Sequence, residues 1–199
     1  GWTLTDWFEE IYLRQNGAEA YNKLFSADGD WTDPTVATAV TAMTEVLNDK
    51  YVVGGIKGAL SAGFTDGIAQ AFGASPTADL YYEGGFVGGI ATGQTNTALE
   101  IGKTIDWFPF PTFGGSGDTA VEIGGDLIAA LTTNPGVKEF VQFMTTADEG
   151  TTWAKTGAII SPVKAVSADS YPTDLVKKES AQVAGASAVV YDGSDTLPA

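Results

Sequence analysis

The apolar positions of this chain change period along its length, and each change marks an expected element. Near the start, Trp7 pairs with Ile11 and Phe8 with Tyr12 at i,i+4, the spacing of one helix face. Asp6 stands as the cap of that helix with Glu9 three residues on, in capping-box position, and Asn16-Gly17 is a stop. A short helix over Ala18 to Phe25 follows. Asp33-Pro34 joins an N-cap residue to proline at the first helical position. The helix it opens runs to about Asn48, with Val36, Val40, Met43 and Leu47 as its apolar face. Val52 to Gly63 is glycine-rich and weakly patterned, which reads as loop or frayed helix. Thr65 or Asp66 starts a short helix through Ala69 and Phe72 that Gly73 ends. Asp79 to Glu83 reads as a strand. Gly84-Gly85 turns it, and Phe86-Val87 opens a small-residue helix to about Gly93.

Ile105 to Pro111 is expected to be extended, since each proline pushes its predecessor out of the α region. Thr112 to Asp118 is a flexible glycine loop. Val121-Glu122-Ile123 then alternates as a strand, breaks at Gly124-Gly125-Asp126 and resumes apolar to Leu131. Paired glycines inside strand periodicity predict a bulge or a close approach to the backbone. Asn134-Pro135 repeats the N-cap and proline signal, and Val137, Phe140, Val141 and Met144 form one helix face. A second helix carrying Trp153 ends near Gly157, before an apolar run that stops at Ser161-Pro162. A helix from about Pro172 to Ala186, an extended Val189-Val190-Tyr191 and a turn at Asp192 to Asp195 complete the order. Strands and helices in this irregular order give an α/β or α+β class.

Composition narrows the chemistry. The 199 residues contain no cysteine and no histidine. That excludes disulfides, thiolate nucleophiles, Ser-His-Asp triads and the commonest transition-metal ligands. The net charge of −15 argues against nucleic acid, whose phosphates require clustered Lys and Arg. Hydrophobic content of 44% places the chain among globular proteins rather than disordered ones. No run of about 18 apolar residues occurs, and no signal peptide is visible at Gly1-Trp2. Both ends read as cut from a longer chain.

What remains for chemistry is carboxylate, hydroxyl, lysine and aromatic groups. Glu9-Glu10 is an adjacent acid pair whose members point to different helix faces, and capping with solvation is its expected role. Asp192 to Asp195 lacks the spaced ligands of a calcium loop and reads as a turn. Lys155-Thr156 lacks the glycine spacing of a phosphate loop. The distinctive feature is aromatics placed beside glycine and acid: Trp2 before Thr5-Asp6, Tyr82-Glu83 before Gly84-Gly85-Phe86, and Trp107 after Asp106. Flat sugar faces stack on aromatic rings, and sugar hydroxyls take carboxylate and backbone partners. Core packing is the ordinary role of any one of these rings. The group of three junctions points to a carbohydrate site, with a carboxylate glycosidase using Glu83 and Asp126, or a non-catalytic structural piece, as rival readings.

GWTLTDWFEEIYLRQNGAEAYNKL, LYYEGGFV, IDWFPFPT, GGDLIAAL, VKEFVQFMTTADEGTTWAKTGAIISP and YDGSDTLP, in this order, resemble an extracellular solute-binding protein of an ABC sugar importer. The branch that binds α-glucosides and related oligosaccharides is the nearest in character. The resemblance implies part of a two-lobed α/β fold with hinge crossings, of the periplasmic-binding-protein kind. On that plan residues 1–104 are the later part of the second lobe and 105–118 a hinge crossing and loop. Residues 119–191 are the returning part of the first lobe, and 192–199 approach the last crossing. The implied activity is sugar capture between lobes without catalysis, cofactor or metal. The implied partners are the ligand and ABC permease subunits, with no nucleic acid and a lipid anchor absent from this chain. The implied ligand-binding residues are Trp2, Asp6, Glu83, Phe86, Gly125 and Asp126, and the implied location is extracellular or periplasmic.

Overall fold

The computed structural model describes residues 2–197. Gly1 and Pro198, which entered the reading of the two ends, lie outside the described residues. Helix α1, Trp2–Leu24, supplies most of the first core through Ile11, Tyr12, Leu13, Tyr21 and Leu24. Asn16-Gly17 does interrupt it, because Gly17 takes φ 83°, a left-handed conformation open to glycine. The helix begins at Trp2, so Asp6 is not its cap. The Thr5 hydroxyl instead donates to the Trp2 carbonyl at 2.6 Å, and the Asp6 side chain is left for other partners.

Helix α2, Pro34–Val46, is opened by Asp33, whose Oδ1 accepts from the Thr35 amide at 2.9 Å and the Thr35 hydroxyl at 2.6 Å. Its buried stripe is Ala39 with Val36, Ala42 and Met43 beside it, whereas Val40 is 44% exposed. Val36 and Met43 of the expected face thus pack on the core, but its centre is the small Ala39, which lets α1 approach, and Val40 turns outward. The glycine-rich stretch contains a true helix, α3, Gly55–Ser61, which Asp49 helps to start by accepting from the Ile56 amide at 2.8 Å. Helix α4, Phe64–Phe72, ends at Gly73 and buries Ile68. Helix α5, Phe86–Ile90, continues into one wider π-type turn, Ala91–Thr95.

No strand forms over Asp79 to Glu83, since no neighbouring segment offers a ladder. The sheet among the described residues has two parallel strands, β1 (Val121–Ile123) and β2 (Val189–Tyr191), with Val121, Glu122 and Ile123 opposite Val189, Val190 and Tyr191. β1 ends at Ile123 without a bulge. Leu127 and Leu131 beyond it are 89% and 94% exposed, so the apolar continuation is not core. No described helix is long and apolar enough to cross a membrane.

The chain forms two units, one running to Gly124 and resuming at Ala186, the other Gly125–Gly185. In the second, α6 (Pro135–Met144) is capped by Asn134 Oδ1, which accepts from the Gly136 amide at 2.9 Å. Val137, Val141 and Met144 are half-buried, but Phe140 is exposed, contrary to the expected face. Helix α7 (Ala147–Ala154) starts at Thr146 and is followed by Gly157 at φ 71°. Its small residues Gly150 and Ala154 share one face, and a Cβ added at Gly150 would lie 3.0 Å from Val166 and from Ser161 Oγ. Helix α8 (Asp174–Gly185) completes this unit's core, formed by Ala154, Tyr171 and Val176 with Ile160 and Val166 against them.

Candidate functional site

Helix spacing puts Trp2 and Asp6 on one side of α1, since residues four apart lie one above the other. The Trp2 ring packs against Phe64 with centroids 5.1 Å apart, and Phe64 reaches Phe86 at 6.0 Å. Trp2 and Phe86 remain 51% and 50% exposed, so each offers a ring to solvent. Beside this wall Trp7 meets Tyr82 at 4.6 Å, and Tyr82 meets Phe110 at 4.9 Å.

The Asp79 to Glu83 segment links the two aromatic groups. Tyr81 lies over α4, where a Cβ added at Gly67 would sit 2.7 Å from its ring, while the Tyr82 hydroxyl donates to the Asp6 carbonyl at 3.3 Å. The two tyrosines thus go to opposite sides, as strand alternation expects, although aromatic anchors replace the ladder. Glu83 comes next, near enough to Asp6 for the Asp6 charge to act on its carboxyl. The structure therefore gathers Trp2 and Phe86 about Phe64, with Asp6 one turn beyond Trp2 on α1 and Glu83 three residues before Phe86. Phe64 was not anticipated, because the local pattern left it ahead of the helix it begins. Gly125 and Asp126 belong to the second unit, where both are exposed.

The electrostatics of this region are unusual. Burial and then the Asp6 charge push the Glu83 carboxyl up to about 8, and burial likewise raises Asp6. Glu83 Oε2 accepts from the Gly84 amide at 3.2 Å, whereas Oε1 is buried without a hydrogen-bond partner.

A second acid group, Glu9 with Glu122 and Asp192, has carboxylate oxygens within 4.8 Å of one another. Here the expectation of capping and solvation for Glu9-Glu10 is corrected, because both are buried. Glu9 accepts from the Tyr21 hydroxyl, the Gly193 amide at 2.7 Å and the Ser194 amide at 3.2 Å. Glu10 takes the Arg14 guanidinium at 2.6 Å. The two acids do leave the helix in different directions, but each finds a buried partner. Glu9 is consumed in holding the Asp192 to Asp195 turn, which Asp192 Oδ1 also caps through the Ser194 amide at 2.9 Å. Both its oxygens are occupied, which makes it a fold anchor rather than a free metal ligand. Burial, with Glu9 as the next cause, pushes Glu122 up to about 10.

For glycoside hydrolysis two carboxyls stand about 5 Å or more apart to admit a sugar or water between them. The rival pair, Glu83 and Asp126, falls in two different units. A groove of about 470 Å³ lies elsewhere, along α2 beside Gln15 and Phe113, with Glu45 as its one carboxylate. It lacks paired acids and an open aromatic wall, so the chemistry favours the region around Phe64.

Comparison with known proteins gives two informative relatives. The osmoprotective compounds-binding protein GgtB of Synechocystis is 28% identical over 199 residues, covering 100% of this chain and 46% of GgtB. The α-glucosides-binding periplasmic protein AglE of Rhizobium meliloti is 27% identical over 205 residues, covering 100% of this chain and 43% of AglE. The chain resembles solute-binding proteins along its whole length. It spans less than half the length of these two curated relatives. No protein-family model matches the chain, and no solved structure matches it. Both relatives are named for binding and neither for catalysis.

Proposed function

We propose that this chain is part of a sugar-binding component of an ABC importer, which captures a sugar or oligosaccharide and presents it to a membrane permease. The observation that carries this reading is the open aromatic wall of Trp2, Phe64 and Phe86 with Asp6 and Glu83 beside it. Half-exposed rings offer flat apolar faces to a pyranose, and the carboxyl pair and backbone groups offer hydrogen-bond partners. A two-lobed fold that closes on its ligand, with no catalytic step, is the setting in which such a wall operates. An extracellular or periplasmic location and a lipid anchor on a longer form belong to the same reading. Gly125 and Asp126 are proposed as further ligand contacts.

The test is Phe86→Ala, with sugar affinity measured by calorimetry against α-glucosides and mono- and oligosaccharides. Loss of one large apolar contact should weaken binding by about 1–3 kcal/mol. Stability without ligand should fall much less, because Phe86 is half exposed. Collapsed stability with intact affinity would assign Phe86 to the fold and remove it from the site.

A further inference from the structure

The groove along α2 has walls of one chemical kind. Thr38, Thr41 and Glu45 stand at i, i+3 and i+7 of α2 and so share one helix face, with the small side chains of Ala37 and Ala42 among them. The Thr38 hydroxyl donates to the Pro34 carbonyl at 3.1 Å, and the Thr41 hydroxyl to the Ala37 carbonyl at 2.8 Å. Each has spent its hydrogen on the helix, which leaves its oxygen able only to accept. Glu45 adds a carboxylate in the last turn of α2, where the helix dipole contributes further negative potential. Gln15 on α1 adds an amide whose Oε1 is buried without a hydrogen-bond partner. Turning that amide about its last torsion, to offer the oxygen to a ligand, breaks no bond to it. Phe113 completes the lining and is 43% exposed. Its amide donates to Asp118 Oδ1 at 2.7 Å, and its ring stacks on Phe110 with centroids 6.4 Å apart and planes at 16°. The loop that carries it is docked on α1, where a Cβ added at Gly115 would lie 2.6 Å from the Gln15 carbonyl oxygen. Ring and acceptors are therefore held in place before any ligand arrives.

No lysine or arginine is among the described residues that line the groove, and the ion pairs of the described residues, Arg14 with Glu10 and Lys103 with Glu100, do not involve Glu45. A polyol brings acceptors together with its donors, and on these walls its acceptors would meet only the Gln15 amide nitrogen. A guanidinium brings N–H donors and no acceptor, and its flat face suits an open aromatic ring. We propose that this groove binds a small organic cation of the guanidinium class, which pairs with Glu45, donates to the Thr38, Thr41 and Gln15 oxygens and stacks on Phe113. The site shares no residue with the aromatic wall around Phe64 and does not rest on the sugar-binding reading.

The experiment is an NMR titration of the full chain with methylguanidinium at constant ionic strength, following backbone amides and the Gln15 side-chain amide. Saturable shifts are expected at Gln15, Thr38, Thr41, Glu45 and Phe113. Tetramethylammonium, which has the same charge but no N–H, should bind at least about tenfold more weakly, since it can make none of the hydrogen bonds. Glu45→Gln should weaken methylguanidinium binding by about tenfold, and Phe113→Leu by about threefold. Both side chains are exposed, so neither change threatens the fold. Glu139→Gln, which removes an exposed acid of α6, should leave binding unchanged. Shifts scattered over the acidic surface, or equal weakening by Glu139→Gln and Glu45→Gln, would mean only general attraction to a chain of net charge −15 and would overturn the proposal. Equal binding of tetramethylammonium or of neutral erythritol overturns it too, as does the absence of saturable shifts.

Discussion

The glycine loop between Phe113 and Asp118 offers a sharp test of how the first unit is held together. Gly117 is buried against the break in α1, and its amide donates to the Arg14 carbonyl at 3.2 Å. A Cβ at this position would be driven into the Leu13 carbonyl, 2.6 Å from its carbon and 3.1 Å from Gly17 Cα. These are backbone atoms of a fully buried helix segment and cannot swing aside as a side-chain tip would. The added Cβ would stand 1.7 Å from the Leu13 carbonyl oxygen, so the loop would have to withdraw by roughly 1.5–2 Å to restore ordinary van der Waals separation. Withdrawal strains the Gly117 bond to Arg14, the bond from the Arg14 guanidinium to the Asp118 carbonyl, and the Asp118 carboxylate bonds to the Phe113 and Gly114 amides, both 2.7 Å. At about 1 kcal/mol for each bond lost, and more where the Arg14 charge is left short of an acceptor, Gly117→Ala should destabilise by about 3 kcal/mol or more. That is a large share of the ~5–15 kcal/mol that holds an ordinary domain folded. Gly124→Ala is the control, because a Cβ there meets nothing within 4 Å. Urea unfolding followed by tryptophan fluorescence reads both variants. If Gly117→Ala lies within about 0.5 kcal/mol of the wild type, the loop is not docked on α1 and the reasoning fails.

Glu122→Gln should stabilise the chain by about 1–3 kcal/mol near pH 8, since a neutral amide removes the penalty of a desolvated acid among like charges. The sign follows from linkage: Glu122 is pushed up to about 10 in the folded chain, so between its ordinary value near ~4.3 and that point folding takes up a proton. Its contribution to stability therefore falls as pH rises through that window. Thermal midpoints should be higher at pH 5 than at pH 8 in the wild type and show a shallower slope in Glu122→Gln; identical slopes would show that Glu122 titrates normally. Asp126→Asn should lower sugar affinity by about 1.5–3 kcal/mol, the scale of a hydrogen bond to a charged group, with the ligand-free fold intact. Unchanged calorimetric affinity would take Asp126 out of the site.

The chain determined by itself those features whose chemistry closes within a few residues. Asp33-Pro34 and Asn134-Pro135 each open a helix because the capping oxygen and the amide it receives lie two residues apart. Val121 to Ile123 was legible as a strand from its alternation and Val189 to Tyr191 as an extended apolar run, and Gly17 and Gly73 as helix breaks. The aromatic residues beside acid and glycine were visible too, as was a resemblance carried by several short motifs in order. The tertiary structure decided everything that depends on a distant partner. Tyr81 and Tyr82 alternate like a strand, yet a ladder requires a neighbour, and packing on α4 and α1 took its place. Glu9 looked like a solvated helix residue because nothing local could receive it. Its partners, Gly193 and Ser194, come from the far end of the sequence. Asp6 and Glu83 likewise stand more than seventy residues apart, and the Asp6 charge acts on Glu83 only once α1 and the Gly84-Gly85 turn are folded. Spacing along a chain reports which neighbours share a face; which distant group completes a buried charge depends on the path between them, and that path is set by the packing of the whole core.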